Sequence, residues 1–245
     1  MAGRASTTDP PGPDAASRQA GRRGQRPALF ALLALLGFAI VMVLVLLGDT
    51  TGLDLGVTRA LQSVRGGALL ASMRGVSWLG YGPQVYVVEA AIVAALFLAR
   101  LRLEAGFGVL AALGSLAYVP IKGFARRPRP VDGFDGIIAY GGANGTSFPS
   151  GHVLNYVVLF GFLLYLTYTL APPRPPRAVL LTILTALIAL VGPSRIYLGQ
   201  HWFTDTLASY LLGTTILIAI LAFYRRAKNR QVRANTSAKP LPTAR

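Results

Sequence analysis

The 245-residue chain contains no cysteine, which excludes disulfide frameworks, cysteine metal sites and thiol catalysis. Charge is scarce: Asp, Glu, Lys and Arg make up 13% of the residues, against about 25% in ordinary soluble domains. Acids are scarcer still, 9 against 24 Lys and Arg, for a net charge of +15. Histidine occurs only at His152 and His201, so the set of usable catalytic side chains is short. The sequence has no Walker loop, no dinucleotide fingerprint and no clustered metal ligands. What it has is hydrocarbon. Hydrophobic residues account for 53% and the mean hydropathy is +0.52, a composition for a membrane protein.

Residues 1–27 are polar, rich in Pro, Gly, Ala, Ser and Arg, and without an apolar period; they read as a disordered tail. Ala28–Gly48 is continuously apolar, long enough to cross the roughly 30 Å hydrocarbon layer as a helix. A signal peptide would have an apolar region of about 7–15 residues and a small-residue cleavage site. This run is longer and ends in Gly48-Asp49, so a membrane anchor is the better reading. Five further apolar segments lie near 78–99, 105–121, 153–171, 178–193 and 206–224. Leu53–Ser77 mixes apolar residues with Arg59, Arg65 and Arg74 and reads as an extramembrane or interfacial helical stretch. The expected fold is all-α: a polytopic membrane protein built as a six-transmembrane-helix bundle, with an interfacial helical segment after the first span. The six-span domain covers 28–224, and 225–245 form a basic tail.

The cations give the bundle a direction. With the N-terminus inside, 16 of the 24 Lys and Arg fall in the two tails and the loops at 100–104 and 171–177. The positive-inside rule then puts both termini in the cytoplasm of a multi-pass cell-membrane protein. The tail after Tyr224 has no acid, as suits a topology determinant beside anionic lipid. Nucleic-acid binding, the usual inference from a basic chain, is set aside because most cations flank spans.

Five of the remaining cations are Lys122, Arg126, Arg127, Arg129 and Arg195. Lys122 and its arginines follow the third span, Ser150 and His152 precede the fourth, Arg195 follows the fifth, and His201 and Asp205 precede the sixth. By parity all these ends face outward, so three separated patches meet on one membrane surface.

Within them, KGFARRPRP contains K-x6-R-P from Lys122 to Arg129-Pro130, FPSGH contains P-S-G-H from Pro149 to His152, and SRIYLGQHWFTD contains S-R-x5-H-x3-D from Ser194 to Asp205. This ordered tripartite pattern resembles the type 2 phosphatidic acid phosphatase superfamily, the integral-membrane lipid phosphate phosphatases, over roughly 75–225. The resemblance implies an outward-facing enzyme with His201 as nucleophile forming a phosphohistidine, Asp205 as its orienting partner and His152 as general acid. It also implies Lys122, Arg129, Ser150, Gly151 and Arg195 as phosphate-binding residues, with no cofactor and no metal. The substrates it offers are phosphatidic acid, phosphatidylglycerol phosphate, sphingoid phosphates and polyprenyl diphosphates. The outward site and extra cations favour undecaprenyl diphosphate.

The residues argue for the same chemistry on their own. Phosphoryl transfer spreads charge over equatorial oxygens, so catalysis is mostly positioning and electrostatics. Arginine binds phosphate oxygens through a planar fork, and lysine acts as a point charge. A basic residue at a span end is otherwise a snorkelling or topology-setting cation. Ser150-Gly151 opens the fourth span, where free N–H groups bind anions, although an ordinary N-capping turn also accounts for the serine. His201 and Asp205 are four apart and share a helix face if the sixth helix has begun.

Arg126 and Arg127 read as a solvated basic loop, with extra charge for a second phosphate as the alternative. Glu89 falls about 16 Å of helix beyond Trp78, near mid-membrane, where an acid is functional, protonated, or paired with a polar group of another span. The glycine-rich loop 131–148 shapes the mouth of the site, and its Asn144-Gly145-Thr146 fits a glycosylation sequon. A transporter or scaffold that keeps a lipid-phosphate site is the main non-enzymatic alternative. Transporter sites, however, lie near the midplane between related halves, and no such halves are visible here.

Overall fold

The computed structural model describes residues 13–141 and 145–237, with the backbone alone for 13–25. The first twelve residues of the N-terminal tail, Asn144 of the sequon and the last eight residues lie outside the described residues. The described residues are helical and contain no strand.

Ten α-helices follow in order: α1 (Pro13–Leu47), α2 (Thr51–Ser63), α3 (Gly67–Trp78), α4 (Gly82–Leu98), α5 (Arg102–Ser115), α6 (Tyr118–Ala125), α7 (Gly151–Asn155), α8 (Gly161–Leu170), α9 (Pro175–Tyr197) and α10 (Phe203–Ser237). A π-turn, Tyr156–Phe160, joins α7 to α8. Among the described residues five segments are long and apolar enough to cross a membrane: Arg26–Leu47, Arg102–Ala125, Gly151–Leu170, Pro175–Tyr197 and Phe203–Ser237. Helices α3 and α4 pass the same test as a pair, bent by 56°, and bring the count to six.

The differences from the sequence reading have local causes. Helix α1 begins at Pro13, ahead of the expected tail boundary, because alanine, arginine and glutamine favour helix once an anchor propagates it. The span expected at 105–121 occupies 102–125. Its apparent start was displaced by Glu104, which lies 2% exposed and receives hydrogen bonds from Lys228 at 2.6 Å and Tyr224 at 2.9 Å. The span expected at 178–193 runs from Pro175 to Tyr197. Proline is favoured in the first turn, and buried Arg195 belongs to the helix rather than to a loop. The stretch expected at the interface folds as α2 and α3. Helix α3 lies against α9, tied by the Ser77–Ser194 hydroxyl pair at 2.6 Å and by Ser194 Oγ donating to the Met73 carbonyl at 2.6 Å.

The bundle is built around Gly151–Leu170, 67% of whose apolar window is buried inside the protein. Tyr156, Val157, Val158, Leu159 and Phe160 of the π-turn are all buried, packed with Leu184, Val191 and Ile220 from α9 and α10. Helix α1 lies along α10 on one side, and α4 lies on α5 on the other. The start of α7, the end of α6, the end of α9 and the start of α10 therefore converge at one end of the bundle.

Candidate active site

That end encloses a cavity of about 370 Å³, lined among others by Lys122, Arg129, Gly151, His152, Arg195 and His201. Six of the eight residues singled out in the sequence thus share one chamber. Asp205 and Ser150 lie directly behind it, both 0% exposed.

The His201–Asp205 pair is built by the start of α10. Helix α10 begins at Phe203, so Asp205 is its third residue, and Oδ2 reaches back to accept from the Trp202 backbone N–H at 2.9 Å. This is one half of a capping box. The same oxygen faces His201 Nδ1 at 3.4 Å. On the other side of the ring, Arg129 Nη1 lies 3.1 Å from His201 Nε2. Arginine can only donate, so Nε2 is the acceptor and the ring proton sits on Nδ1, toward Asp205. The nitrogen lone pair therefore points at the cations. Burial, reinforced by Arg195, Arg129 and Lys122, holds the His201 pKa well below the usual histidine value of 6.5, so the ring is neutral at physiological pH.

The cations come from three segments. Arg129 also donates to the Gln200 carbonyl at 2.6 Å, and its Nε is buried without a partner. Lys122 donates to the Thr146 carbonyl at 2.6 Å. Arg195, 2% exposed, donates to Tyr81 Oη at 3.0 Å and keeps Nε unpartnered. Three cations thus stand together, and two of them keep an N–H group unused.

His152 stands edge-on to Tyr81, ring centroids 4.8 Å apart, and its Nε2 is buried with no partner. The ring fits only because residue 80 is glycine; a Cβ there would overlap the imidazole. Ser150 holds the N-cap position of α7 with extended backbone angles but makes no side-chain cap. Its Oγ is buried and unpartnered, and its N–H is taken by Ser209 Oγ at 2.7 Å. The simple capping role considered for the serine is therefore not the one it plays. Gly151 packs under Tyr118, whose ring carbons would lie 3.1 Å from an added Cβ.

Arg127 departs from both sequence readings. It is neither solvated nor turned toward the cavity. Its side chain is 12% exposed and forks between Asp205 Oδ1 at 2.6 Å and the carboxylate of Asp54 on α2. Thr50 and Thr204 complete its shell, at 3.0 and 2.7 Å. Arg126, by contrast, is exposed. Asp54 was not singled out in the sequence, nor were Tyr81 and Gln200, which hydrogen-bond each other at 3.2 Å beside Arg195. The available signal for Asp54 was rarity: an acid in a chain of 9, placed on an otherwise basic stretch. Among the described residues no group of three or more His, Asp or Glu is arranged to hold a metal.

An integral-membrane phosphatase is the class that this fold and this site define. The chain belongs to the PAP2 superfamily, which matches residues 103–229, just over half of its length. Two solved structures share the fold. A transmembrane PAP2-type phosphatidylglycerolphosphate phosphatase from Bacillus subtilis is 24% identical, with a TM-score of 0.68, 80% of this chain and 96% of that one being covered. LpxE from Aquifex aeolicus is also 24% identical, with a TM-score of 0.57 over 69% of this chain and 95% of that one. Among curated proteins, none matches the chain.

Proposed function

We propose that the protein hydrolyses a lipid phosphate or diphosphate at the outer face of the cell membrane, without a metal, through a phosphohistidine on His201. The observation that carries this is the orientation of His201: Nδ1 toward Asp205, Nε2 toward Arg129 and the cavity. In the first step Nε2 attacks phosphorus, forming an N–P bond as the P–O bond to the lipid breaks. Lys122, Arg129 and Arg195, with the Gly151 end of α7, hold the phosphoryl oxygens as charge spreads over them. His152, protonated beside the bound phosphate dianion, gives a proton to the departing lipid oxygen. In the second step His152 takes a proton from water, whose oxygen attacks phosphorus; the N–P bond breaks and inorganic phosphate leaves. Asp205 holds the Nδ1 tautomer throughout.

The outward orientation is supported by the excess of Lys and Arg at the opposite end of the bundle. A six-span body opening beside α4 and α6 suits a substrate that keeps its tail among the helices. Undecaprenyl diphosphate and phosphatidic acid are the substrates to test first. Phosphate release by detergent-solubilised protein, with EDTA present, is expected for at least one of them and is expected to vanish in His201→Ala. Release that survives that substitution, or that EDTA abolishes, would sink the mechanism. Binding of either lipid without turnover would favour a non-catalytic lipid-phosphate carrier.

A further inference from the structure

The cavity has a second polar end that the mechanism does not use. Glu89 is the sole acid of α4, set among Val87, Val88, Ala90 and Ala91. It lines the same cavity as His201, together with Asn155 and Ser115. Asn155 Nδ2 donates to Glu89 Oε1 at 2.5 Å and to Ser115 Oγ at 3.3 Å. Ser115 spends its own proton on the Ala112 carbonyl at 2.7 Å. The donors of the cluster are thus committed within the protein. Toward the cavity it offers acceptors: the second carboxylate oxygen of Glu89 and the carboxamide oxygen of Asn155, to which no described residue donates.

We propose that Glu89, Asn155 and Ser115 form a subsite for a hydrogen-bond donor, a hydroxyl or ammonium carried by the lipid close to its phosphate ester. The proposal rests on the reading above, in which the phosphorus of a lipid phosphate sits at His201. Asn155 lies three residues beyond His152 on α7, about 4.5 Å further along the helix, which is the reach of a short carbon chain from the ester oxygen. Chemistry sets the preference. A substrate presenting only hydrocarbon there leaves the free Glu89 and Asn155 oxygens without a donor, which is costly. An ester carbonyl, itself an acceptor, gives them no partner. A hydroxyl or ammonium supplies the missing donor. The subsite therefore ranks hydroxyl- or amine-bearing lipid phosphates above polyprenyl diphosphates and diacyl phosphatidic acid.

The test uses full-length purified protein and a matched pair of monoacyl substrates: a lysophosphatidic acid with its free hydroxyl, and the deoxy analogue with the same acyl chain. Wild-type kcat/KM is expected to favour the hydroxylated lipid about tenfold or more, mostly through KM. In Glu89→Ala the ratio falls to about one, because the hydroxylated lipid loses its advantage. Glu89→Gln, which keeps an acceptor oxygen without the charge, is expected to fall between. Equal wild-type turnover of the pair, or equal losses on both in the variants, overturns the subsite while leaving the hydrolase intact. No phosphate from either monoacyl lipid, while undecaprenyl diphosphate or phosphatidic acid is still hydrolysed, overturns the subsite alone; no phosphate from any of the four overturns the hydrolase reading as well.

Discussion

Arg127 donates from one end of its guanidinium to Asp205 Oδ1 at 2.6 Å and from the other to Asp54. One side chain thus joins the helix after the first span to the carboxylate that orients His201. Asp54 is 1% exposed and also accepts from the Thr204 N–H at 2.8 Å, so it fixes the first turn of α10 as well. Removing one member of a buried pair leaves the other charge uncompensated, at a cost of about 3–5 kcal/mol.

Asp54→Asn is therefore expected to lower the thermal midpoint by several degrees and to reduce kcat by more than it raises KM. Lysine at position 127 cannot span both carboxylates as a fork can, so Arg127→Lys is expected to lose activity in the same way. Differential scanning with kinetics on both variants checks this. Wild-type stability with wild-type kcat would show that the bridge is ornamental.

His152→Ala is expected to harm phosphatidic acid turnover more than turnover of a diphosphate. An alkoxide needs a proton as it leaves, and a phosphate leaving group needs it less. Parallel measurement of the two kcat values decides the matter; equal losses would remove His152 from the acid role.

The pH dependence follows from His201. Its native pKa is held below 6.5 by burial and by Arg195, Arg129 and Lys122. The acid limb of kcat/KM is expected below that of an ordinary histidine, and Arg195→Gln is expected to move it upward by removing a cation. The sign for stability is the same. Below pH 6.5 the unfolded histidine takes up a proton that the native one refuses, so stability declines as pH falls from 6.5 toward the native value. His201→Asn should flatten that part of the curve in a thermal-midpoint series.

Gly80→Ala places a methyl where the His152 ring stands. Tyr81 limits the ring's retreat on one side. If His152 is the general acid proposed above, the expected result is a fall in kcat of about tenfold or more. A kcat within twofold of wild type would mean that the ring has room to relax.

Much of this candidate site was legible because the residues gathered there are rare types at span ends. With two histidines and 9 acids in 245 residues, each occurrence near a cation cluster carries information, and His152, His201 and Asp205 fall together for that reason. Parity of the spans located them at one end of the bundle without any knowledge of packing. Arg127 was misread because the x6 stretch says nothing about which way a side chain turns; its direction is set by Asp54, 73 positions away. The Ser115–Asn155–Glu89 cluster was hidden for a related reason. Asn155 is one polar residue inside an apolar span, and only the packing of both α4 and α7 against α5 brings it to the carboxyl. The limits of the spans shifted at Glu104, whose charge Lys228 compensates, and at Arg195, which is buried within the helix and donates to Tyr81.

The π-turn at Tyr156–Phe160 separates two duties of one transmembrane segment. On its near side the helix presents Gly151, His152 and Asn155 to the cavity; on its far side it presents Phe162 and Leu166 to the hydrophobic core. A π-turn holds one residue more than the α-helix around it, and each residue turns an α-helix by about 100°. Deleting a single residue there would straighten the helix and rotate the two halves against each other, so that site and core could no longer both be in register. The span behaves as two gears on one shaft, and that extra residue is the key that sets their relative angle.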